Sequence, residues 1–375
     1  MTGKREPSQR RLRIDHTHMG RRSTGIERIT RELFSPSVLS PLPVETVTAG
    51  AGRLGVVMAQ NVTLPLEALR HRDDVFLFPG FPPSPYFSMA RRDSTVLYVH
   101  DVFLLTRTAE LNLAARLYFA PLFALAVRSL KHFLTNSEYT ASTLQPFCRA
   151  DASITLCRPS VRNVFGLDVG DRASRTDAPA SLTISAIGTI EPRKNFRAAA
   201  DICAALAARL DIPVHLNIIG RPGWGPDAEW LAQQPHVTLL GPLPDQDARA
   251  AIKTSDFLIC TSRDEGLGLP LLEVQHGGVP VIAPDMPVFR EVLGRSGLFV
   301  DAEDAGAAAA AIATLFASRG WRARSTDAAL ANVARWNALA ERDHAAVCGM
   351  FADMLGQPRP MRAAGDAVVA RSRAA

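Results

Sequence analysis

Two carboxylates eight residues apart frame the stretch best equipped for chemistry, Glu265-Gly-Leu-Gly-Leu-Pro-Leu-Leu-Glu273. The apolar run Phe257-Leu-Ile-Cys260 before it reads as a buried strand, and the apolar residues from Leu269 read as the start of a helix. Gly266 and Gly268 lack a Cβ, so the backbone between strand and helix can turn sharply and lie close to a ligand. Pro270 suits a first helical turn, where a missing N–H is no loss. The free N–H groups of that turn and the helix dipole make an anion site. A carboxylate beside a phosphate repels it unless the same ligand offers hydroxyls to grip. The combination fits a nucleotide sugar, with Glu273 accepting hydrogen bonds from ribose hydroxyls and Glu265 facing the sugar. Spacing alone leaves an alternative: an ordinary strand–loop–helix connection with two solvated glutamates.

A second anion site lies upstream. Leu182-Thr-Ile-Ser-Ala-Ile-Gly188 is a strand closing on glycine, followed by Thr189-Ile-Glu-Pro-Arg-Lys-Asn195 and an alanine-rich helix from Phe196 to Leu210. Adjacent Arg193 and Lys194 suit a diphosphate, the guanidinium binding oxygens as a fork and the ammonium as a point charge. Asn195 is a good N-cap for the helix behind them. Seen alone this is also a solvated basic turn. Two anion sites on successive βα units of one parallel sheet favour the ligand.

Gly188-Thr-Ile-Glu-Pro-Arg-Lys-Asn195, Glu265 to Glu273 and Gly278-Val-Pro-Val-Ile282 together resemble retaining glycosyltransferases of family 4, the group 1 glycosyltransferases with the GT-B fold. The resemblance runs from about Ile14 to Trp336, and the first of these segments resembles mannosyltransferases of surface polysaccharides. Leu267 stands where phenylalanine is common and Val274 where alanine is; both swaps leave carboxylates and glycines in place. The resemblance implies that Arg193 and Lys194 hold the donor diphosphate, Glu273 the ribose and Glu265 the donor sugar, with Gly188, Gly266, Gly268 and Leu269 closing round the donor. It also places Gly25, in the loop Asp15-His-Thr-His-Met-Gly-Arg-Arg-Ser-Thr-Gly-Ile26, beneath the donor phosphates, with Arg28 on the first helical turn facing the cleft. His100 and Asp101, at the end of the strand Thr95 to His100, stand where ligands bind in open α/β sheets. A histidine there is structural or functional with equal reason; the resemblance favours contact with the transferred sugar or acceptor, Asp101 orienting the ring or binding the acceptor hydroxyl. In such enzymes the departing phosphate itself takes the acceptor proton. No Asp-x-Asp stands in these segments, so no metal cofactor is expected.

Apolar strands alternate with helical segments, the pattern of doubly wound sheets. The expected strands are Leu12–His16, Glu45–Ala49, Val75–Phe78, Thr95–His100, Phe133–Asn136 and Ile154–Leu156, then Leu182–Ile187, Val214–Ile219, Val237–Leu240, Phe257–Cys260, Val281–Ala283 and Leu298–Val300. The fold class is α/β, with Rossmann-like domains at 1–165 and 181–322 joined by a linker at 166–180; the resemblance implies that the two face a cleft, the first on the acceptor side and the second binding the donor. One or two helices are expected over 323–355, which the resemblance implies cross back to the first domain, and 356–375 reads as a disordered tail. Ser137 is an N-cap. The apolar stretch Leu111 to Leu130 reads as a core helix that Pro121 kinks or restarts, with membrane-surface contact as the alternative.

A chain of 375 residues exceeds one ordinary core, and 47% hydrophobic with 21% charged residues places it among globular proteins. Five scattered cysteines without metal spacing suit buried thiols in the cytoplasm. No apolar run reaches the roughly 20 residues of a membrane span, and no signal peptide is seen. Met1 to Phe34 holds nine Lys/Arg against four Asp/Glu, matching the whole-chain net of +5. Such a basic face suits anionic lipid at the inner membrane or a phosphate-bearing acceptor. Nucleic acid is not expected, because no aromatic-plus-basic motif accompanies the charge. The reading is a cytoplasmic hexosyltransferase using a nucleoside-diphosphate sugar, GDP-mannose preferred, and a polysaccharide or lipid-linked acceptor. A nucleotide-sugar 2-epimerase of the same fold and a non-catalytic sugar-nucleotide-binding subunit are the alternatives.

Overall fold

The structure, a computed structural model, describes residues 9–20, 25–50, 52–108, 113, 115–173 and 175–359. All twelve expected strands form, each within two residues of its expected bounds. Unit 1 comprises the chain up to Ser160 and from Leu339 on, and unit 2 is Val161–Ala338. In unit 1, β1 (Leu12–Asp15), β2 (Val44–Val47), β3 (Val75–Phe78), β4 (Thr95–Val99), β5 (His132–Thr135) and β6 (Ser153–Leu156) form a parallel sheet in the order β2-β1-β3-β4-β5-β6. In unit 2, β7 (Leu182–Ile187), β8 (Val214–Ile219), β9 (Val237–Gly241), β10 (Phe257–Ile259), β11 (Val281–Pro284) and β12 (Gly297–Val300) form a second, ordered β12-β11-β10-β7-β8-β9. Val-Phe-Leu-Phe of β3 and Phe-Leu-Ile of β10 are buried at every position, because a parallel sheet covered on both faces has no solvent side to alternate toward.

Strand order reverses beside β1 in unit 1 and beside β7 in unit 2. Loops leaving neighbouring strands diverge there and open a crevice at the carboxyl ends. Those loops follow β1 and β3 in one unit, and β7 and β10 in the other. The last two carry Arg193-Lys194 and Glu265.

The structure gives three helical expectations their detail. Trp321–Leu355 is a single helix of 35 residues whose part from Leu339 belongs to unit 1. Pro121 starts an α-helix, Ala120–Ser129, behind a π-type turn at Ala115–Phe119; residues 111, 112 and 114 of the expected helix lie outside the described residues. The helix behind Gly268 has only five residues, Leu269–Glu273, before it tightens into a 3₁₀ turn at Val274–Gly277. So short a helix sums few peptide dipoles, and charge at this end of the sheet must come mainly from side chains. The tail from 360 onward lies outside the described residues.

The segment expected as a linker is built into unit 2. Leu167 packs against Gly277, where a Cβ would sit 2.7 Å from that of Leu167. Asp177 accepts from the Gly320 N–H at 2.7 Å, and its carbonyl accepts from Trp321 Nε1 at 3.0 Å. Arg172, 4% exposed, donates to the carbonyls of Ser255 and Asp256 at 2.8 and 2.9 Å. Its polar composition resembled a tether, but these polar groups are spent on buried carbonyls. Asp256 itself pairs with Arg322 at 2.8 Å and with Arg175 at 3.4 Å. Burial and the neighbouring Arg175 and Arg322 bring Arg172 down to about 10. Asp256→Ala therefore leaves clustered arginines without their counter-charge and should destabilise unit 2 by about 3–5 kcal/mol. Urea unfolding followed by tryptophan fluorescence checks this; a loss below ~1 kcal/mol would mean the arginines are solvated.

Candidate active site

In unit 2 the site is built on two loop ends. Gly188 takes φ 149° and Gly220 φ 157°; a Cβ on Gly220 would fall 1.9 Å from the Gly188 carbonyl oxygen, so neither strand end tolerates a side chain. A Cβ on Gly188 would lie 3.2 Å from Lys194 Cε, so the lysine chain lies back over this glycine. The chain then makes a 3₁₀ turn over Pro192–Lys194, and Asn195 turns left-handed at φ 51°, ψ 43° before the helix Phe196–Leu210. Asn195 does not cap that helix through its side chain as expected. A left-handed residue aims its amide elsewhere, here to Glu303 at 3.1 Å.

Glu265 draws the two loops together. Its carboxylate meets Arg193 at 3.2 Å, pairs with Lys194 Nζ, and accepts from Ser262 Oγ at 2.9 Å. Arg193 also reaches Glu191 and the Asp264 carbonyl, each at 2.7 Å. Burial alone would raise the Glu265 carboxyl, but Lys194 and Arg193 outweigh it and hold the group below the usual carboxylate range. Burial likewise works against the Arg193 charge, which Glu265 and Glu191 more than restore. Glu265 is 9% exposed and Glu273 2%, which removes the alternative of two solvated glutamates. The left-handed turn is carried by Gly268, φ 79°, whose Cβ would lie 3.2 Å from Leu271 Cδ1. Leu269 follows it as the first residue of the short helix that ends on Glu273, and Gly266 lies half-buried between Glu265 and the turn. A cavity of about 530 Å³ opens beside the cluster, lined among others by Thr261, Ser262, Asp285, Phe299 and Glu303.

In unit 1, His100 Nε2 lies 2.8 Å from the Pro79 carbonyl oxygen; a carbonyl only accepts, so Nε2 carries the proton and donates it. Its own carbonyl accepts from Asn136 Nδ2 at 2.8 Å. The Pro79 carbonyl thus orients the His100 ring, and the Asp101 carboxylate, expected to orient the ring or bind the acceptor hydroxyl, accepts from the Phe103 N–H at 3.0 Å. Ser137 caps its helix as expected, accepting from the Thr140 N–H at 3.0 Å. Gly25 opens the helix Gly25–Phe34 on the exposed side, and a Cβ there would meet nothing of the chain itself. Arg28 pairs with Glu32 at 3.0 Å; Arg21 and Arg22 lie outside the described residues.

Sequence reasoning passed over His16 and His18. His18 is 5% exposed, touches Thr30 Oγ1 at 3.0 Å, and lies so close to Gly80 that a Cβ there would fall 2.6 Å from the ring. Among the described residues, His16 Nε2 and His18 Nδ1 are buried without a hydrogen-bond partner. The signal was present in His16-Thr-His18 directly behind β1 and in Pro79-Gly-Phe behind β3, at the switch point of this sheet. Burial pushes His100 down to about 4, and burial with the neighbouring His16 and His100 does the same to His18. Both rings are neutral in the folded protein, so the stability they confer is present above pH 6.5 and lost as pH falls toward 4. Asp15, raised to about 6 by burial, opposes this as one group against two. The two rings and Asp15 together should thus lower stability by about 1.4 kcal/mol per pH unit from 6 to 4, and His16, lowered by burial as well, adds to the fall. Chemical denaturation at stepped pH tests it, and a flat profile would place the imidazoles in water.

Residues 181–318 match the family described as Glycosyl transferases group 1. The O-antigen chain mannosyltransferase B of Escherichia coli is 31% identical over 156 residues, 40% of this chain and 41% of that protein. The alignment thus spans about two fifths of this curated relative. Among solved structures, sucrose-phosphate synthase of Thermosynechococcus elongatus superposes with a TM-score of 0.71 at 16% identity, covering 92% of this chain and all of that one. HepE of Anabaena, solved in complex with UDP-glucose, gives 0.62 at 17% identity over 92% of this chain and 99% of that chain. At such identities the likeness speaks to the fold, two parallel Rossmann-like sheets with a long C-terminal helix. The family match covers the segment that holds Gly188, Arg193, Lys194, Glu265 and Glu273, and over that segment the chain is similar to the group 1 glycosyltransferases.

Proposed function

We propose that the protein moves a hexose from a nucleoside-diphosphate sugar to a polysaccharide or lipid-linked glycan acceptor, with retention of the anomeric configuration and without a metal ion. The observation that carries the reading is the convergence of Arg193 and Lys194 on Glu265 at the switch point of the unit 2 sheet. Negative charge builds on the diphosphate as its bond to the sugar breaks. A preorganised guanidinium and ammonium at a largely buried position stabilise that charge without reorganising. Glu265, released by the phosphates, accepts from sugar hydroxyls, and Glu273 accepts from the ribose. His100, neutral with its proton on Nε2, offers Nδ1 as an acceptor to a sugar or acceptor hydroxyl, and Asp101 stands beside it. The departing phosphate takes the acceptor proton.

The named activity of the Escherichia coli relative, a mannosyltransferase, supports mannose as the hexose and GDP-mannose as the donor; the UDP-glucose held by HepE makes UDP-hexoses the rival. Among the described residues no helix is long and apolar enough to cross a membrane. Leu54, Met58, Leu113 and Leu117 stand exposed on unit 1, with Arg116 exposed next to Leu117, which supports peripheral contact of a lipid-linked acceptor's membrane.

With purified protein, GDP-mannose and a glycan acceptor, product should form in excess EDTA and keep the donor's anomeric configuration by NMR. An inverted anomer, or activity lost in EDTA and restored by Mg²⁺, would overturn the mechanism. Product only from UDP-glucose would move the donor assignment, and conversion of the nucleotide sugar without acceptor would make the protein an epimerase.

A further inference from the structure

The basic turn is held by the loop behind β10. Three consecutive carbonyls of the turn each meet a donor from Thr261–Arg263. The Arg263 N–H donates to the Arg193 carbonyl at 2.9 Å, and Thr261 Oγ1 is shared between the carbonyls of Lys194 at 3.1 Å and Asn195 at 2.9 Å. Glu303 completes the frame, accepting from the Asn195 side chain at 3.1 Å and from Arg263 Nε at 3.0 Å. Thr261 is 1% exposed and Asn195 6%.

These contacts have a particular task. Asn195 is in a left-handed conformation, one of two such non-glycine residues among the described residues, a conformation that asparagine takes up when its short polar side chain finds a local partner. Unless something holds it, the turn relaxes and carries Lys194 and Arg193 with it. Thr261 lies beyond the last residue of β10, so its hydroxyl is not needed to close the sheet. Glu303, on the loop before the helix Ala305–Ala317, meets the turn at the Asn195 side chain, while Glu265 and Glu191 meet the cations themselves.

We propose that Thr261 and Glu303 are positioning residues for diphosphate recognition, acting through Asn195 and the carbonyls of the Arg193–Asn195 turn. The inference rests on the reading of Arg193 and Lys194 as the diphosphate site. Neither residue touches the ligand in this scheme; each fixes where two cations stand.

The test compares nucleoside diphosphate with monophosphate, because only the former spans the basic pair. Affinities for GDP and GMP, with UDP and UMP in parallel, are measured by calorimetry on the full chain. Thr261→Val, which keeps shape and loses the hydroxyl, should weaken diphosphate binding about tenfold and leave monophosphate binding within about twofold. Thr261→Ser should restore it. Glu303→Ala should show the same selective loss, with a donor KM raised about tenfold and kcat within about twofold. A merely structural role would shift both nucleotides alike or neither, and either result in folded variants overturns the proposal while leaving the donor site standing. Wild-type protein that binds diphosphate no better than monophosphate overturns the diphosphate reading and this inference with it. If Thr261→Val does not fold, Glu303→Ala decides: selective loss sustains the proposal and its absence ends it.

Discussion

Glu265→Gln is expected to tighten binding of a bare nucleoside diphosphate by about 3- to 30-fold while lowering sugar transfer by about 100-fold or more. Two carboxylates, Glu191 and Glu265, neutralise the two cations of the cluster, and removing one leaves a net positive site for a phosphate ligand. The Glu265 carboxyl is held low by Lys194 and Arg193 against its burial, so it is ionised at neutral pH and the substitution removes a full charge. Turnover falls for the opposite reason, since the same group is assigned to the reacting sugar. Glu273→Gln should differ, raising the donor KM with little change in kcat, as a ribose clamp works equally in ground and transition states. Calorimetry with GDP or UDP, set beside steady-state transfer, checks both. If diphosphate affinity falls in step with turnover in Glu265→Gln, the carboxylate is a structural partner of the cations and not their placeholder.

Arg193→Ala and Lys194→Ala should each lower donor kcat/KM by about 2–4 kcal/mol, roughly 30- to 1000-fold. Both side chains are 18% exposed, sheltered enough to act strongly yet reachable by a ligand. The pair shares one counter-ion, so the double variant should lose less than the sum of the singles. Arg193→Lys should not rescue, because the guanidinium spans Glu191, Glu265 and the Asp264 carbonyl at once and an ammonium cannot. Near-normal kcat/KM at limiting donor in both single variants would mean that the diphosphate binds elsewhere.

The strands and the donor-side residues were legible in the chain for a simple reason. A parallel sheet buried on both faces favours apolar runs such as Val75–Phe78, and Leu182–Ile187 and Val214–Ile219 alternate apolar with polar residues at the period of a strand, so all three could be marked to the residue. Glycines at strand ends and a basic pair before a helix are local patterns, and Gly188, Arg193 and Lys194 stand at the strand end and turn where the pattern put them. The resemblance to group 1 glycosyltransferases was legible in the same local words.

What the chain hid was every pairing between distant residues. Nothing in the spacing of Arg193, Lys194 and Glu265 says that the cations rest on that carboxylate, because the contact exists only once β7 and β10 lie side by side. Thr261 and Glu303 carry no motif, and their part depends on a left-handed Asn195 that ordinary capping rules would have made a helix cap. The polar segment around Arg172 and Asp177 looked like a tether because composition cannot show that its polar groups are satisfied by buried carbonyls and a helix start. Local propensity and periodicity thus determined the elements, their order and the residue types at the loop ends. Strand adjacency alone decided which charges meet, since Coulomb attraction and hydrogen bonding act through a few ångströms of space and take no account of distance along the chain.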